Sequence, residues 1–396
     1  MADQRHRLSE YPDSVAGRIV TGTAIGVGAL IAGVAITAAV IAVIFARTVI
    51  TPPKSRNEDV CILAFDTDTI TLSATLDSMT PGRYSLWFHQ DSGHARVGEI
   101  LSYTPDTVTR QLLGVDIGTL DGARRGRFSG WFYLSPADLG VPFENVEVHT
   151  ELGEAPAWFI PTEKATSRWM IGVHGRAVRR PEALRGVPVF RAEGYQSLLV
   201  SYRNDGDAPG TLDNRYALGD TEWKDVEAAM QYALDHGAKS IVLMGWSMGG
   251  ATVLQAVTRS PLADHVKGIV LESPVVDWVT ALHYQGVVYK LPRVVRLGIL
   301  SLLSSRWSRV FTGQSAPIDL KRLDLVTRAK ELTKPILLLH SDDDGFVPLT
   351  ASRALAVARP DIVTFEEFTT ARHTKLWNYD AEHWNGAIKR WLDRLR

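Results

Sequence analysis

Lys239-Ser240-Ile241-Val242-Leu243-Met244-Gly245-Trp246-Ser247-Met248-Gly249-Gly250-Ala251-Thr252-Val253-Leu254-Gln255 decides the reading of this chain of 396 residues. An apolar run of strand type leads into Gly245, Ser247 stands midway between two glycines, and a helical segment follows. G-x-S-x-G at a strand-to-helix turn puts the serine on strained backbone with its hydroxyl exposed. Gly245 and Gly249 are needed because a side chain at either position collides where strand and helix approach closely. By itself the pentapeptide also reads as a glycine-rich turn. The strand before it and the helix after it favour a reactive serine.

Serine is a poor nucleophile at its own pKa, so it needs a base, and the base needs an orienting acid. Pro335-Ile336-Leu337-Leu338-Leu339-His340 is of buried-strand type, and Ser341-Asp342-Asp343-Asp344-Gly345-Phe346-Val347-Pro348 follows as a loop. Asp344 is the candidate acid. Asp342 and Asp343 read as solvated turn residues, since like charges this close cannot all be buried cheaply. Asp277, after Ser273-Pro274-Val275-Val276, is the alternative acid. For the base, His373 lies in the loop Thr369-Thr370-Ala371-Arg372-His373-Thr374, whereas its competitor His383 opens the terminal helix. Loop placement favours His373. His6, His89, His94, His149, His236, His265 and His283 read as surface or core hydrogen-bonders. An oxyanion needs backbone donors. Met248, directly after the serine, is one; Gly175 or Arg176, in the stretch Arg168 to Arg176 that reads as a strand ending in His174-Gly175, is the other.

These motifs, in this order, resemble the α/β-hydrolase superfamily over residues 145–396. Gly245–Gly250, Glu272-Ser273-Pro274 and His373 followed by Trp377-Asn378 are similar to actinobacterial esterase-type members with an N-terminal membrane anchor. The resemblance implies a serine hydrolase cleaving a carboxylic ester through a Ser247 acyl-enzyme, with His373 as base and Asp344 as orienting acid. A peptidase, thioesterase or amidase uses the same triad. A non-catalytic anchored binding protein on a hydrolase scaffold is the reading of a different class, and the complete triad argues against it.

Composition is that of an ordinary globular protein, 45% hydrophobic and 22% charged with formal net charge −1, which gives no support for a nucleic-acid partner. Cys61 is the single cysteine, so no intramolecular disulfide forms. No metal or nucleotide motif stands out, and no cofactor is expected. Ile19 to Ala46 carries no charge and exceeds the roughly 20 residues that cross a bilayer core. It reads as an uncleaved, single-pass transmembrane helix, because a signal peptide has a shorter apolar core of about 7–15 residues. Arg5, Arg7 and Arg18 before it balance Arg47, Lys54 and Arg56 after it. Long domains translocate largely regardless of such charges, and the catalytic part is expected outside the cytoplasm.

The chain divides into a polar tail (1–18), the transmembrane helix (19–46), a linker (47–57), a β-rich module (58–143) and the hydrolase domain (144–396). Period-2 patterning at Thr69–Ser73, 83–88 and 127–134, between turn signals, defines the module. It carries no catalytic constellation; it is expected to pack on the hydrolase, with a substrate-shaping role as the alternative. An opening hairpin and strands near 168–174, 195–201, 239–245, 267–272, 335–340 and 362–368 then alternate with helices. That alternation predicts a mostly parallel sheet covered on both faces. Residues 278–325 interrupt it and form a candidate cap, whose apolar helix near 294–303 suits a lipophilic acyl chain. Every candidate catalytic residue lies at or beyond Gly175, so the chain before Pro53 is expected to be dispensable.

Overall fold

A computed structural model of the protein describes residues 15–395; residues 1–14 of the expected tail lie outside them. Helix α1 runs Val15–Ile50, longer at both ends than the charge-free stretch. Six strands follow: β1 (Val60–Phe65), β2 (Thr69–Ser73), β3 (Tyr84–Phe88), β4 (Gly93–Tyr103), β5 (Thr107–Ile117) and β6 (Arg125–Ser129). They close an antiparallel barrel in the order β1-β2-β5-β4-β3-β6. Alternate residues such as Ile70, Leu72, Leu86, Phe88, Val108 and Phe128 fill its core. Arg110 is buried there too, and its guanidinium donates to the carbonyls of Gly98, Ser78, Thr80 and Gly82 at 2.6–2.9 Å. Burial lowers its pKa to about 10. The segment after β6 leaves the barrel at once, and Phe132 joins the hydrolase core. The barrel therefore ends near residue 129, short of the expected boundary at 143.

The second unit comprises β7 (Glu144–Thr150), β8 (Gly153–Ile160), β9 (Arg168–Val173), α2 (Val187–Ala192), β10 (Gln196–Val200), α3 (Trp223–Asp235), β11 (Ser240–Trp246), α4 (Met248–Arg259) and β12 (Val266–Glu272). After these come α5 (Trp278–Val288), α6 (Arg293–Ser304), α7 (Arg309–Thr312), β13 (Ile336–Ser341), α8 (Leu349–Ala358), β14 (Val363–Phe368), α9 (Leu376–Tyr379) and α10 (Ala381–Arg394). The sheet order is β14-β13-β12-β11-β9-β10-β8-β7, parallel from β14 to β10, with β8 antiparallel to both its neighbours. Strand periodicity sorts side chains to two cores. Ile241 and Leu243 of β11 face one with α3 and α4, while Val242 and Met244 face the other with α2 and α10. Burial on both faces explains why β11 and β13 read as continuous apolar runs. This is the α/β-hydrolase fold.

Residues 47–50, expected in the linker, are helical, and the end of α1 is part of the hydrolase. Ala42, Ala46 and Ile50 are buried in the same core as Val295 and Ile299 of α6. A side chain at Gly298 would meet Ala42 at 3.4 Å, so α6 lies close against α1. Arg176 donates to the terminal carbonyls of Thr48 and Val49, and the Tyr216 amide donates to Ile50 O at 2.7 Å. These contacts satisfy carbonyls that a helix end leaves without partners.

Starting the chain at Pro53 is therefore not neutral. Relative to a chain starting at Gly33, it should lose about 2–3 kcal/mol of apolar burial. The expected drop in Tm is about 3–4 °C by calorimetry in detergent. Equal melting temperatures would contradict the packing of α1 on α6.

Candidate active site

Ser247 sits between β11 and α4 at φ 50° and ψ −116°, in the left-handed region that costs a non-glycine residue about 1–3 kcal/mol. Close packing imposes this conformation. A Cβ at Gly249 would stand 2.2 Å from Val173 O, and one at Gly245 would stand 2.6 Å from Gly249 O. Only glycine lets α4 approach β9 and β11 this closely. The Ser247 amide donates to Glu272 O at 3.0 Å, which ties the turn to the end of β12.

The structure brings Asp344 and His373 to this serine. His373 Nδ1 is 2.7 Å from Asp344 Oδ2, and His373 Nε2 is 3.0 Å from Ser247 Oγ. An ionised carboxylate only accepts, so Nδ1 carries the proton and Nε2 is left to accept the serine hydroxyl. Asp344 Oδ1 accepts the amides of Phe346 and Val347 at 2.8 Å each. His340 Nε2 stands 3.2 Å from Asp344 Oδ2, a partner that sequence reasoning placed only at a strand end. Burial opposes the charged form of Asp344. The facing His373 and the hydrogen bonds from both histidines nevertheless hold the carboxyl well below the usual carboxylate range.

The alternatives lie elsewhere. Asp277 caps α5, accepting the amides of Val279 and Thr280 at 2.9 and 3.1 Å. His383 stacks on Phe368 and bonds Glu366 at 2.6 Å. Asp342 is exposed near Arg353, whereas Asp343 is no free turn residue. It accepts the Arg372 amide at 2.9 Å and the Ser341 hydroxyl at 2.6 Å, and so holds the loop that carries His373.

Of the expected oxyanion donors, the Met248 amide heads α4, where no residue of the helix can accept it. Gly175 needs correcting: its amide donates to the buried Glu182 carboxylate at 2.7 Å and is already taken. Among the described residues nothing accepts the Arg176 amide, which leaves Arg176 as the second donor position on this loop. The loop is further held by Tyr202, whose hydroxyl donates to Gly175 O at 2.7 Å.

Glu272 is the functional neighbour whose role the sequence did not disclose. Fully buried at the end of β12, it accepts Trp246 Nε1 at 2.8 Å, Trp384 Nε1 at 2.9 Å and the Leu376 amide at 3.3 Å. Burial raises its pKa above the ordinary value. Beside it, Ser273 Oγ accepts the Thr374 amide at 3.1 Å, so Glu272-Ser273 clamps the residues directly after His373.

The cavity above Ser247 has a volume of 390 Å³. Its far wall is the barrel, through Asp77, Arg127 and Ser129, with Arg56 from the linker. None of the described residues lining it comes from 278–325, the expected cap. That segment instead braces the acid loop, where Gln285 Nε2 donates to Phe346 O at 2.7 Å. Among the described residues no group of three or more His, Cys, Asp or Glu is placed to hold a metal ion.

Asp344 contributes stability as an anion. Its folded pKa lies below the unfolded value of about 3.9, so the contribution is complete above that pH and is lost as pH falls through and below it. Urea unfolding should give wild type about 2–3 kcal/mol over Asp344→Asn at neutral pH. That gap should close as pH falls below about 4. A gap that does not change with pH would contradict a paired, ionised Asp344.

Comparison with known proteins supports this fold. The chain is similar to the Pyrococcus furiosus esterase Pf2001, with 19% identity over 66% of this chain and 94% of that one, at a TM-score of 0.52. A second crystal form of that esterase gives 20% identity, 66% and 96% coverage, and a TM-score of 0.51. At this identity the likeness is one of fold. Human protein ABHD12B is 26% identical over 216 residues, 51% of this chain and 53% of that protein. This chain thus spans about half the length of the curated relative it matches. Residues 61–129, the barrel, match a domain family of unknown function. The profile of the prolyl oligopeptidase family matches residues 186–394, a stretch that contains the serine turn, the Asp344 loop and the His373 loop. With more than half of its length matched by that profile, the chain belongs to the prolyl oligopeptidase family.

Proposed function

We propose that the protein is a membrane-anchored serine esterase in which Ser247 is the nucleophile, His373 the base and Asp344 the orienting acid. The observation that carries this reading is the chain of hydrogen bonds Asp344–His373–Ser247, at 2.7 and 3.0 Å, ending on a strained serine. Ser247 Oγ attacks the ester carbonyl as its proton passes to His373 Nε2. Asp344 stabilises the imidazolium. The amides of Met248 and Arg176 receive the oxyanion, each such donor being worth about 3–4 kcal/mol in the transition state. Collapse breaks the C–O bond to the alcohol, which takes the proton from His373, and an acyl-Ser247 remains. Water, deprotonated by the same histidine, then releases the acid and restores the serine. The 390 Å³ cavity is of the size that holds a small-molecule ligand, which favours a compact ester over an extended peptide.

The membrane part of the proposal rests on α1 and its neighbours. At 36 residues α1 is about 54 Å long, more than the roughly 30 Å bilayer core, even with its last turns packed on the enzyme. Val34, Ile36, Val40 and Ile44 are exposed on it, and Val294, Leu297, Val310 and Phe311 are exposed on α6 and α7 beside it. The sequence between Asp277 and Asp319 contains no acidic residue but carries Lys290, Arg293, Arg296, Arg306 and Arg309. Apolar side chains interleaved with cations suit the headgroup boundary of an anionic bilayer. In this reading the helix crosses the membrane once and the catalytic unit faces away from the cytoplasm.

Ser247→Ala should lose about 10⁴-fold or more in kcat on a short nitrophenyl ester while its circular dichroism stays that of wild type. Peptide cleavage is the second reading, favoured by the family description. A kcat/KM on prolyl peptide amides above that on esters would overturn the ester assignment. Full-length protein should stay with membranes through high-salt and carbonate washing, since burial of α1 in lipid is not screened by salt. Recovery of the full-length chain in the soluble fraction would contradict the anchor.

A further inference from the structure

The wall facing Ser247 is unusually cationic. Arg56, Arg127, Arg176, Arg372 and Lys375 line the cavity, against Asp77 and Glu182. Arg176 is committed to the carbonyl end of α1, and Glu182 to the Gly175 amide. Asp77 is shared by Lys375 at 2.9 Å and Arg372 at 3.5 Å, and Arg372 also has Asp343 at 4.0 Å.

Arg56 and Arg127 are different. Both depend on one carboxylate, Asp91, at 4.0 Å from Arg56 and 2.9 Å from Arg127. Arg127 Nε is buried without a hydrogen-bond partner among the described residues. Burial, followed by the neighbouring Arg127 charge, pushes the Arg56 guanidinium below its ordinary pKa. Two guanidiniums crowded on one carboxylate in a half-buried wall repel each other, and a spare donor beside them is left unused. A second anion arriving in the cavity offsets that repulsion. A planar guanidinium fork matches the oxygens of a carboxylate or a phosphate. The fold brings the pair together deliberately: Arg127 comes from β6, while Arg56, from the linker after α1, is pinned by its bond to Ala177 O on the oxyanion loop.

We propose that Arg56 and Arg127 form a subsite for an anionic group of the substrate, a carboxylate or a phosphate, so that the enzyme prefers esters bearing a negative charge near the scissile bond. This rests on the ester reading at Ser247 and gives the barrel its role, which is to supply the specificity wall that the 278–325 segment does not.

The test compares matched esters on the full-length protein in detergent. Nitrophenyl pentanoate is set against the nitrophenyl monoester of glutaric acid, and monobutyryl glycerol against monobutyryl glycerol 3-phosphate. Wild type should favour the charged member of at least one pair in kcat/KM, and the pair that shows the preference tells carboxylate from phosphate. Arg127→Gln and Arg56→Gln should each reduce the charged-to-neutral ratio about 10-fold or more, chiefly through KM. Arg127→Lys should recover part of it. Lys224→Gln, whose side chain pairs with Glu151 away from the cavity, should leave the ratio as it is. Wild type that cleaves the neutral esters with no charge preference in either pair would overturn the proposal. So would arginine variants whose ratio matches wild type. If neither neutral ester is cleaved at all, the ester reading fails instead, and the two failures are distinct.

Discussion

The approach of α4 to the sheet at Gly249 is the constraint on which the rest depends. With room there for nothing beyond a hydrogen, the chain can turn from β11 into α4 only through a left-handed Ser247. The strain is held because both flanking elements are buried and neither can retreat. The parallel strands β9, β11, β12 and β13 deliver their carboxyl ends to the same edge, where ligand crevices form in open α/β sheets. From that edge come the Gly175-Arg176 loop, Ser247, the Glu272-Ser273 pair and the Asp344 loop. Each functional position is thus the continuation of a rigid strand, not an independently placed side chain.

His373 is the exception, since it lies on a loop beyond β14. Its geometry is secured by polar contacts with the neighbouring strand ends. Asp343 and Ser341 hold the loop before the histidine, and Ser273 and Glu272 hold it after. Arg185 adds bonds to Thr374 O and to Asn378 Oδ1, both 2.7 Å. Asn378 in turn exchanges backbone and side-chain hydrogen bonds with Arg83 of the barrel, at 2.9 and 3.0 Å. One network therefore positions the histidine and docks the barrel over the serine. Glu272 lies at its centre: burial at that depth is compensated by the Arg185 guanidinium, 3.8 Å away, and by two indole N–H groups and an amide that converge on it.

Much of this was legible in the residues. Strands such as β11 and β13 are buried on both faces, so their apolar runs stand out, and their ends predict the loops that carry Ser247 and Asp344. The barrel was legible only as a β-rich stretch, because β4 and β5 are long and their pairing shifts register repeatedly, which breaks the period-2 signal. Three features left no local trace. The packing of Ala42 and Ala46 on α6 looks in sequence like any small residue of an apolar helix. The capture of the Gly175 amide by Glu182 depends on a turn that no motif encodes. The placement of Arg56 and Arg127 across from Ser247 joins residues from separate units, and only the docked fold brings them to one wall.

In the proposed reaction Ser247 is the nucleophile, and the Met248 and Arg176 amides receive the charge that develops. A crystal structure of the protein after reaction with a fluorophosphonate tests it most directly. Phosphorus should be bonded to Ser247 Oγ, with the phosphonyl oxygen within about 3 Å of both amides and His373 Nε2 facing the leaving-group side. Phosphorus on another residue, or a phosphonyl oxygen turned away from Met248 and Arg176, would contradict it.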